Sequence, residues 1–200
     1  MKAPYVSIKS IGLLLALGWG LVWLGHAYVV PWLQMPLLIG LADPAVHGLV
    51  ALLLVLPLFL RGVVDAWVGA VAVLVGVLID LDHAIAAGSF DFKAMLSLPG
   101  RPLGHSLLVA ALVAAALALL LRLWRARYAG WGPFYLFLAS LLSHIVRDGD
   151  TPWAYPWEAG PIPPAVFWGV FVPLSFLHLG YAVPVGRNGA AAPGDAASHR

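Results

Sequence analysis

Long apolar runs separated by short, proline-marked polar connections dominate this chain of 200 residues. The runs are about 17 to 22 residues each, the length an α-helix needs to cross roughly 30 Å of hydrocarbon. The pattern predicts helices at roughly 10–31, 44–60, 63–80, 104–123, 130–147 and 164–184. The breaks are chemically marked by Pro31 and Pro36 after the first run and by Asp43-Pro44, read as an N-cap followed by a first-turn proline. Pro99 to Pro102 precede the fourth run and Pro161 to Pro164 the sixth. The fold class expected is therefore all-α: a polytopic membrane bundle of about six transmembrane helices with short loops. Residues 1–185 form its single domain, and residues 186–200 form a Gly/Ala-rich disordered tail. Lys2 and Lys9 precede a first run that passes through Gly25-His26-Ala27, which also suits a cleaved signal peptide. Apolar character continues through Tyr28-Val29-Val30 to a proline, and this favours a spanning helix.

Composition narrows the function classes. The chain is 62% hydrophobic and only 10% charged, so each ionisable residue in an apolar segment needs a reason to be there. Cysteine is absent, which excludes disulfides, thiolate metal sites and cysteine nucleophiles and leaves His, Asp and Glu to hold any metal. The net charge of +2 is spread among loops, giving no basis for nucleic-acid binding. A cytoplasmic N-terminus places Lys2, Lys9, Arg61, Arg122, Arg125, Arg127, Arg187 and Arg200 inside and only Lys93, Arg101 and Arg147 outside. The expectation is a multi-pass protein of the cytoplasmic membrane with both termini cytoplasmic.

That orientation gathers Asp43, His47, Asp80, Asp82, His83, His105, His144, Asp148 and Asp150 at the outer ends of their helices. An ionisable residue at mid-bilayer costs about 2.5 to 3.5 kcal/mol on insertion scales, so a cluster kept near the surface implies a use. His144 and Asp148 lie four apart and Asp80 and His83 three apart, each pair on one helix face. Asp82 is turned aside, better placed to orient a histidine or accept a proton than to bind the same ion. His105 opens the fourth helix and His47 lies in the first turn of the second. An H-x3-D pair alone is more often a structural hydrogen-bonded pair; it is the convergence on one membrane face that favours a metal. The expected ligands are His47, Asp80, His83, His105, His144 and Asp148, with Asp82 or Asp150 as general base or ligand-orienting partner. Arg101 and Arg147 lie outside against the charge bias, which suits the holding of an anionic group such as phosphate.

These residues resemble the YdjM-like family of inner-membrane metal-dependent hydrolases. Its pattern runs from an early histidine to Pro-Asp-x-Asp-His, then His-Arg-Gly-x-Thr-His-Ser, then His-x3-Asp-x2-Thr-Pro and a further proline. The counterparts here are His47; Asp80, Asp82 and His83; Arg101, His105 and Ser106; then His144, Asp148, Thr151, Pro152 and Pro156, spanning residues 43–158. Ile79 stands where the pattern has proline, Gly100 where it has histidine, Pro102 where it has glycine and Gly104 where it has threonine. The resemblance implies a metal-dependent hydrolase, with Ser106 and Thr151 joining Arg101 and Arg147 in substrate binding.

A divalent metal is the cofactor expected, zinc first and manganese or iron as alternatives, as one ion or two. At the bilayer edge the simplest substrate is a membrane lipid or lipid-linked compound, its phosphoester hydrolysed by metal-activated water. Two readings from other classes remain: a non-catalytic scaffold in which the metal staples helices or recruits a partner, and a metal or proton transporter. Transport needs ionisable residues through the bilayer depth, yet the inner helix halves carry little beyond His178. Trp131, Trp153, Tyr155, Trp157 and Trp168 read as an interfacial aromatic belt, Asp65 as the partner of Arg61 and Glu158 as a loop residue.

Overall fold

The computed structural model describes residues 6–29, 33, 35–100, 102–124, 131–154 and 157–181, and for residues 29, 36, 150–154, 157–161 and 181 the backbone alone. Helix α1 spans Ile8–Leu24, capped by Ser7, and runs on into a π-helical turn at Gly25–Val29. Helix α2 spans Pro36–Leu60 and α3 spans Ala66–Leu78. Two short helices follow, α4 at Leu81–Ala87 and α5 at Phe92–Leu96, in a stretch the apolar pattern leaves as a connection. A 3-10 turn at Leu103–His105 leads into α6, Leu107–Trp124; α7 spans Gly132–Asp148 and α8 spans Pro164–Tyr181. Between α7 and α8 lies a small antiparallel hairpin of β1, Asp150–Ala154, and β2, Trp157–Pro161, paired Asp150 with Pro161 and Ala154 with Trp157.

The chain is thus a helical membrane protein, with six long helices among the described residues. Four segments are long and apolar enough to cross a membrane unaided: Ile8–Tyr28, Leu37–Leu60, Ala66–Ala87 and Leu107–Trp124. Helix α8 is apolar as well, and α7 is the least apolar of the long helices. The physical reason for the second case is enclosure. Helix α7 packs against α2, α3, α6 and α8 together, and Leu136, Phe137, Ser140, Leu141, His144 and Ile145 are all buried along it. A helix surrounded by protein can carry serine and histidine because its polar groups meet other helices instead of lipid.

The Asp43-Pro44 pair does not open a helix. Pro36 already provides the first-turn proline, and Pro44 and Pro57 both lie inside α2. The result is that Asp43 sits one helical turn before His47 on the same face. At α3, Asp65 acts as the N-cap, its carboxylate accepting from the backbone N–H groups of Trp67 and Val68, both at 3.1 Å. The expected tail at residues 186–200 lies outside the described residues.

Two apolar cores hold the bundle. One joins Val55, Val68, Ala72, Ala110, Ala114, Phe137 and Ile145 across α2, α3, α6 and α7. The other joins Leu15, Trp19, Leu54, Phe167 and Phe171 across α1, α2 and α8, and includes a buried hydrogen bond from the Trp19 indole to Ser175 Oγ at 2.8 Å. A cavity of about 1080 Å³ opens between the far ends of α2, α7 and α8, lined largely by apolar side chains with Tyr135 and His178 hydrogen-bonded at 2.6 Å. His178 also donates from Nδ1 to the Leu54 carbonyl at 2.8 Å, so its role there is to tie helices together.

Small residues set the helix spacing where the polar groups gather. A Cβ on Gly76 would stand 3.0 Å from Ala51 Cβ on α2 and 3.7 Å from Ser140 on α7, so glycine lets three helices approach closely. Gly76→Val should wedge them apart. Overpacking of this kind costs about 1 to 3 kcal/mol, and the expected result is a lower unfolding temperature in detergent for Gly76→Val, with Gly20→Val on an open surface as the unaffected control.

Candidate metal centre

The polar centre is assembled from helix ends. Asp43 and His47 come from the first half of α2, Asp80 from the α3–α4 turn, Asp82 and His83 from α4, His105 from the 3-10 turn, and His144 and Asp148 from the last turns of α7. Gly149 follows at once with φ +82°, a left-handed conformation that ends α7 and that a side chain would strain. Because Asp148 is the last helical residue, both its oxygens reach the centre while the chain turns away into the hairpin.

Four donor atoms converge: Asp80 Oδ1, His105 Nε2, His144 Nε2 and Asp148 Oδ2, all within 4.8 Å of one another. His144 Nε2 lies 3.2 Å from Asp80 Oδ1 and 3.6 Å from Asp148 Oδ2. His105 Nε2 lies 3.7 Å and 3.6 Å from the same two oxygens. Donors held roughly 2.0 to 2.2 Å from a tetrahedral ion stand about 3.3 to 3.6 Å apart, so this spacing matches a four-coordinate shell. Both histidines are almost completely buried, and neither Nε2 has a hydrogen-bond partner. Such a buried nitrogen is costly unless something binds it.

The opposite ring nitrogens are occupied, and this fixes which nitrogen faces inward. His144 Nδ1 donates to the Gly76 carbonyl at 2.8 Å, in the last turn of α3 where helix carbonyls run out of backbone donors. His105 Nδ1 lies 3.1 Å from Asp82 Oδ2. A carboxylate or carbonyl behind each imidazole, leaving the other nitrogen for a cation, is the usual support for a metal-ligating histidine. The same close approach explains Gly104: a Cβ there would strike the Asp82 carboxylate. Glycine therefore replaces the pattern's threonine at a point with no room for a side chain.

The remaining site residues fall around this quartet. His83 Nδ1 is 3.1 Å from Asp82 Oδ1 and 3.8 Å from Asp80 Oδ1, placing His83 in a second group with Asp82 and His105. His47 stacks on His144 with ring centroids 3.4 Å apart and belongs to a third group with Asp43 and Asp148. Arg147 Nη2 donates to Asp43 Oδ1 at 2.6 Å, and Nη1 to His47 Nε2. Its guanidinium is buried in this internal pairing. Ser106 is also buried. Arg101 lies outside the described residues, as do the side chains of Asp150 and Thr151. Asp43 is the member that the sequence-based ligand set omits; its signal is the spacing Asp43-x3-His47, the reverse of His144-x3-Asp148.

Charge makes the cluster unusual. Asp43, Asp80, Asp82 and Asp148 face one guanidinium among the described residues of the centre. Burial resists protonation of His105, yet the neighbouring carboxylates of Asp148 and Asp82 outweigh it and raise its pKa to about 9. In the metal-free protein that raised pKa is a stabilising contribution, complete below the ordinary value of 6.5 and lost as pH rises through about 9. A cavity of about 80 Å³ opens beside the centre, lined by Asp43, Asp80, His83 and Asp148 together with Ile39, Gly40, Pro44 and the α5 residues Phe92, Met95 and Leu96.

Comparison with known proteins places this geometry in a family. The chain is 34% identical over 149 residues to transmembrane protein 267 of Danio rerio, a match covering 72% of this chain and 66% of that protein. The Bos taurus protein of the same name is 35% identical over 92 residues, covering 45% of this chain and 42% of its own length; for the Mus musculus protein the figures are 33% over 103 residues, 50% and 47%. The matches thus span less than two thirds of these curated relatives. No solved structure matches. The description of YdjM inner membrane protein matches residues 43–194, which contain every residue of the three metal-competent groups, and the chain belongs to that family.

Proposed function

We propose that this protein is a membrane-embedded, metal-dependent hydrolase acting on a phosphoester in a lipid or lipid-linked substrate. The observation that carries the reading is the quartet of Asp80, His105, His144 and Asp148, with two buried Nε2 atoms lacking partners beside a cavity. These four residues hold the ion, zinc first and manganese or iron as alternatives. Such an ion supplies Lewis acidity and lowers the pKa of water to near 7. The protein's own groups do the rest. Asp82 and the Gly76 carbonyl orient the two histidines. His83 lines the cavity with its Nδ1 3.1 Å from Asp82 Oδ1, which makes it the general acid–base of this reading. At about 80 Å³ the cavity is too small for acyl chains, which then stay in the bilayer. Ile85 and Phe90, each 80% exposed, and Leu103 at 58% supply an apolar rim at this end of the bundle.

The site faces away from the cytoplasm in this reading. Lys9, Arg61 and Arg122 lie at the helix ends opposite the centre, and Arg147, committed to Asp43, no longer counts as a loop charge. Because the chain has no cysteine, a single Phe90→Cys variant reports the side directly. The expected outcome is labelling of intact cells by a membrane-impermeant maleimide; labelling only after lysis would reverse the orientation.

The metal reading is tested by elemental analysis of purified protein. Wild type should carry stoichiometric metal, and His144→Ala and Asp148→Ala should lose it while retaining a monodisperse profile. Wild-type hydrolysis of phospholipid and polyprenyl phosphate substrates should vanish in the same two variants. Bound metal without turnover on any phosphoester would favour the stapling role, in which the ion only fixes helix ends.

Asp82 acts through His105, so its loss should weaken metal binding without abolishing it. Removal of such a supporting partner typically costs 10- to 100-fold in affinity. Asp82→Asn and Gly104→Ala, which displaces the same carboxylate, should both fall in that range in a competition titration with a chelating dye. An unchanged affinity in both would show that Asp82 does not orient His105.

A further inference from the structure

Asp148 presents its two oxygens to two different sets of groups. Oδ2 joins Asp80, His105 and His144, whereas Oδ1 lies 3.0 Å from His47 Nε2. His47 Nε2 is also 3.6 Å from Asp43 Oδ2, so the third group, Asp43, His47 and Asp148, is a further set of three donors that shares Asp148 with the quartet. A carboxylate shared between two donor sets is the arrangement that bridges a pair of ions. Here, however, the second pole is filled. Arg147 is 4% exposed, with Nη2 on Asp43 Oδ1 and Nη1 on His47 Nε2, and Nη1 3.9 Å from Asp148 Oδ1.

We propose that Arg147 is the built-in second cation of this centre: one divalent ion belongs at Asp80, His105, His144 and Asp148, and the guanidinium occupies the position between Asp43, His47 and Asp148 where a second would bind. This inference rests on the metal reading above and deepens it by fixing the ion count. The chemistry of the two cations differs. A guanidinium is permanently charged and presents N–H donors to fixed acceptors, so it neutralises Asp43 and Asp148 without offering an open coordination position. His47 then receives a hydrogen bond in place of a metal bond and stacks on His144, stiffening the ligand it covers. Arg147 is on this account a positioning residue and not a phosphate clamp, since both ends of its fork already hold protein groups. A second ion entering this pole meets like charge at contact distance, and it gains those ligands only by expelling the guanidinium from a buried pair.

The test uses the full-length chain, stripped with chelator, reloaded with excess Mn²⁺ and desalted. Wild type and Arg147→Lys should each retain one ion per chain with the six-line resonance of an isolated Mn²⁺. Arg147→Met should retain two per chain, with the broadened spectrum of a coupled pair. Two ions in wild type, or one ion in a monodisperse Arg147→Met, would overturn the inference. If Arg147→Met does not stay monodisperse, Arg147→Gln is read by the same criteria. No ion in wild type would remove the metal reading itself and this inference with it.

Discussion

Four carboxylates drawn together at one end of an apolar helix bundle create a charge problem that the surrounding structure is arranged to solve. Asp43, Asp80, Asp82 and Asp148 are withdrawn from water to different degrees, Asp148 most of all at 9% exposure. Uncompensated charge in such a setting costs several kcal/mol per ion, so cations or protons must accompany it. Arg147 accounts for one carboxylate, and the two carboxylates beside His105 favour positive charge there. The spacing of the inner quartet matches the dimensions of a tetrahedral ion, which would satisfy the two carboxylates and the two unpartnered nitrogens at once.

The fold serves that centre through its least apolar helix. Helix α7 packs against four other helices, so it can bring Ser140, Ser143, His144 and Arg147 into contact with protein where an outer helix would present them to lipid. Its close approach to α2 and α3 depends on Gly76, and the carbonyl of that same residue fixes the tautomer of His144. Helix packing and ligand orientation thus share one residue. Gly104 makes a parallel connection on the other side, where the absence of a side chain lets Asp82 support His105.

The family match and the geometry agree on extent. The matched region begins at Asp43, a donor of the third group, and runs beyond the end of α8. Helix α1 lies before it, packing on α2 and α8 through Leu15, Trp19 and Val22 without contributing a donor to the three groups. Its contribution to the described structure is the wall behind α2.

Much of this was legible in the sequence. Runs of helical length specify spanning helices because hydrocarbon accepts no unpaired backbone group, and the positions of His47, Asp80, His105, His144 and Asp148 at run ends mark a polar centre without any contact being known. What hydropathy alone could not assign was the division of labour among those residues. Asp43 looked like a helix cap because Asp-Pro is a strong start signal, yet Pro36 had already begun the helix and left Asp43 facing inward beside His47. Arg147 looked available to an anion because only its place at the outer end of an apolar run was visible. Its engagement with Asp43 joins residues about a hundred positions apart, and local spacing carries no information about such pairs. The separation of His83 from the inner quartet likewise depends on the turn at Asp80 between α3 and α4, which the apolar pattern does not show. Hydropathy follows from each residue's own transfer free energy and is written in the chain; which donors share one ion depends on distances that exist only after the helices have packed.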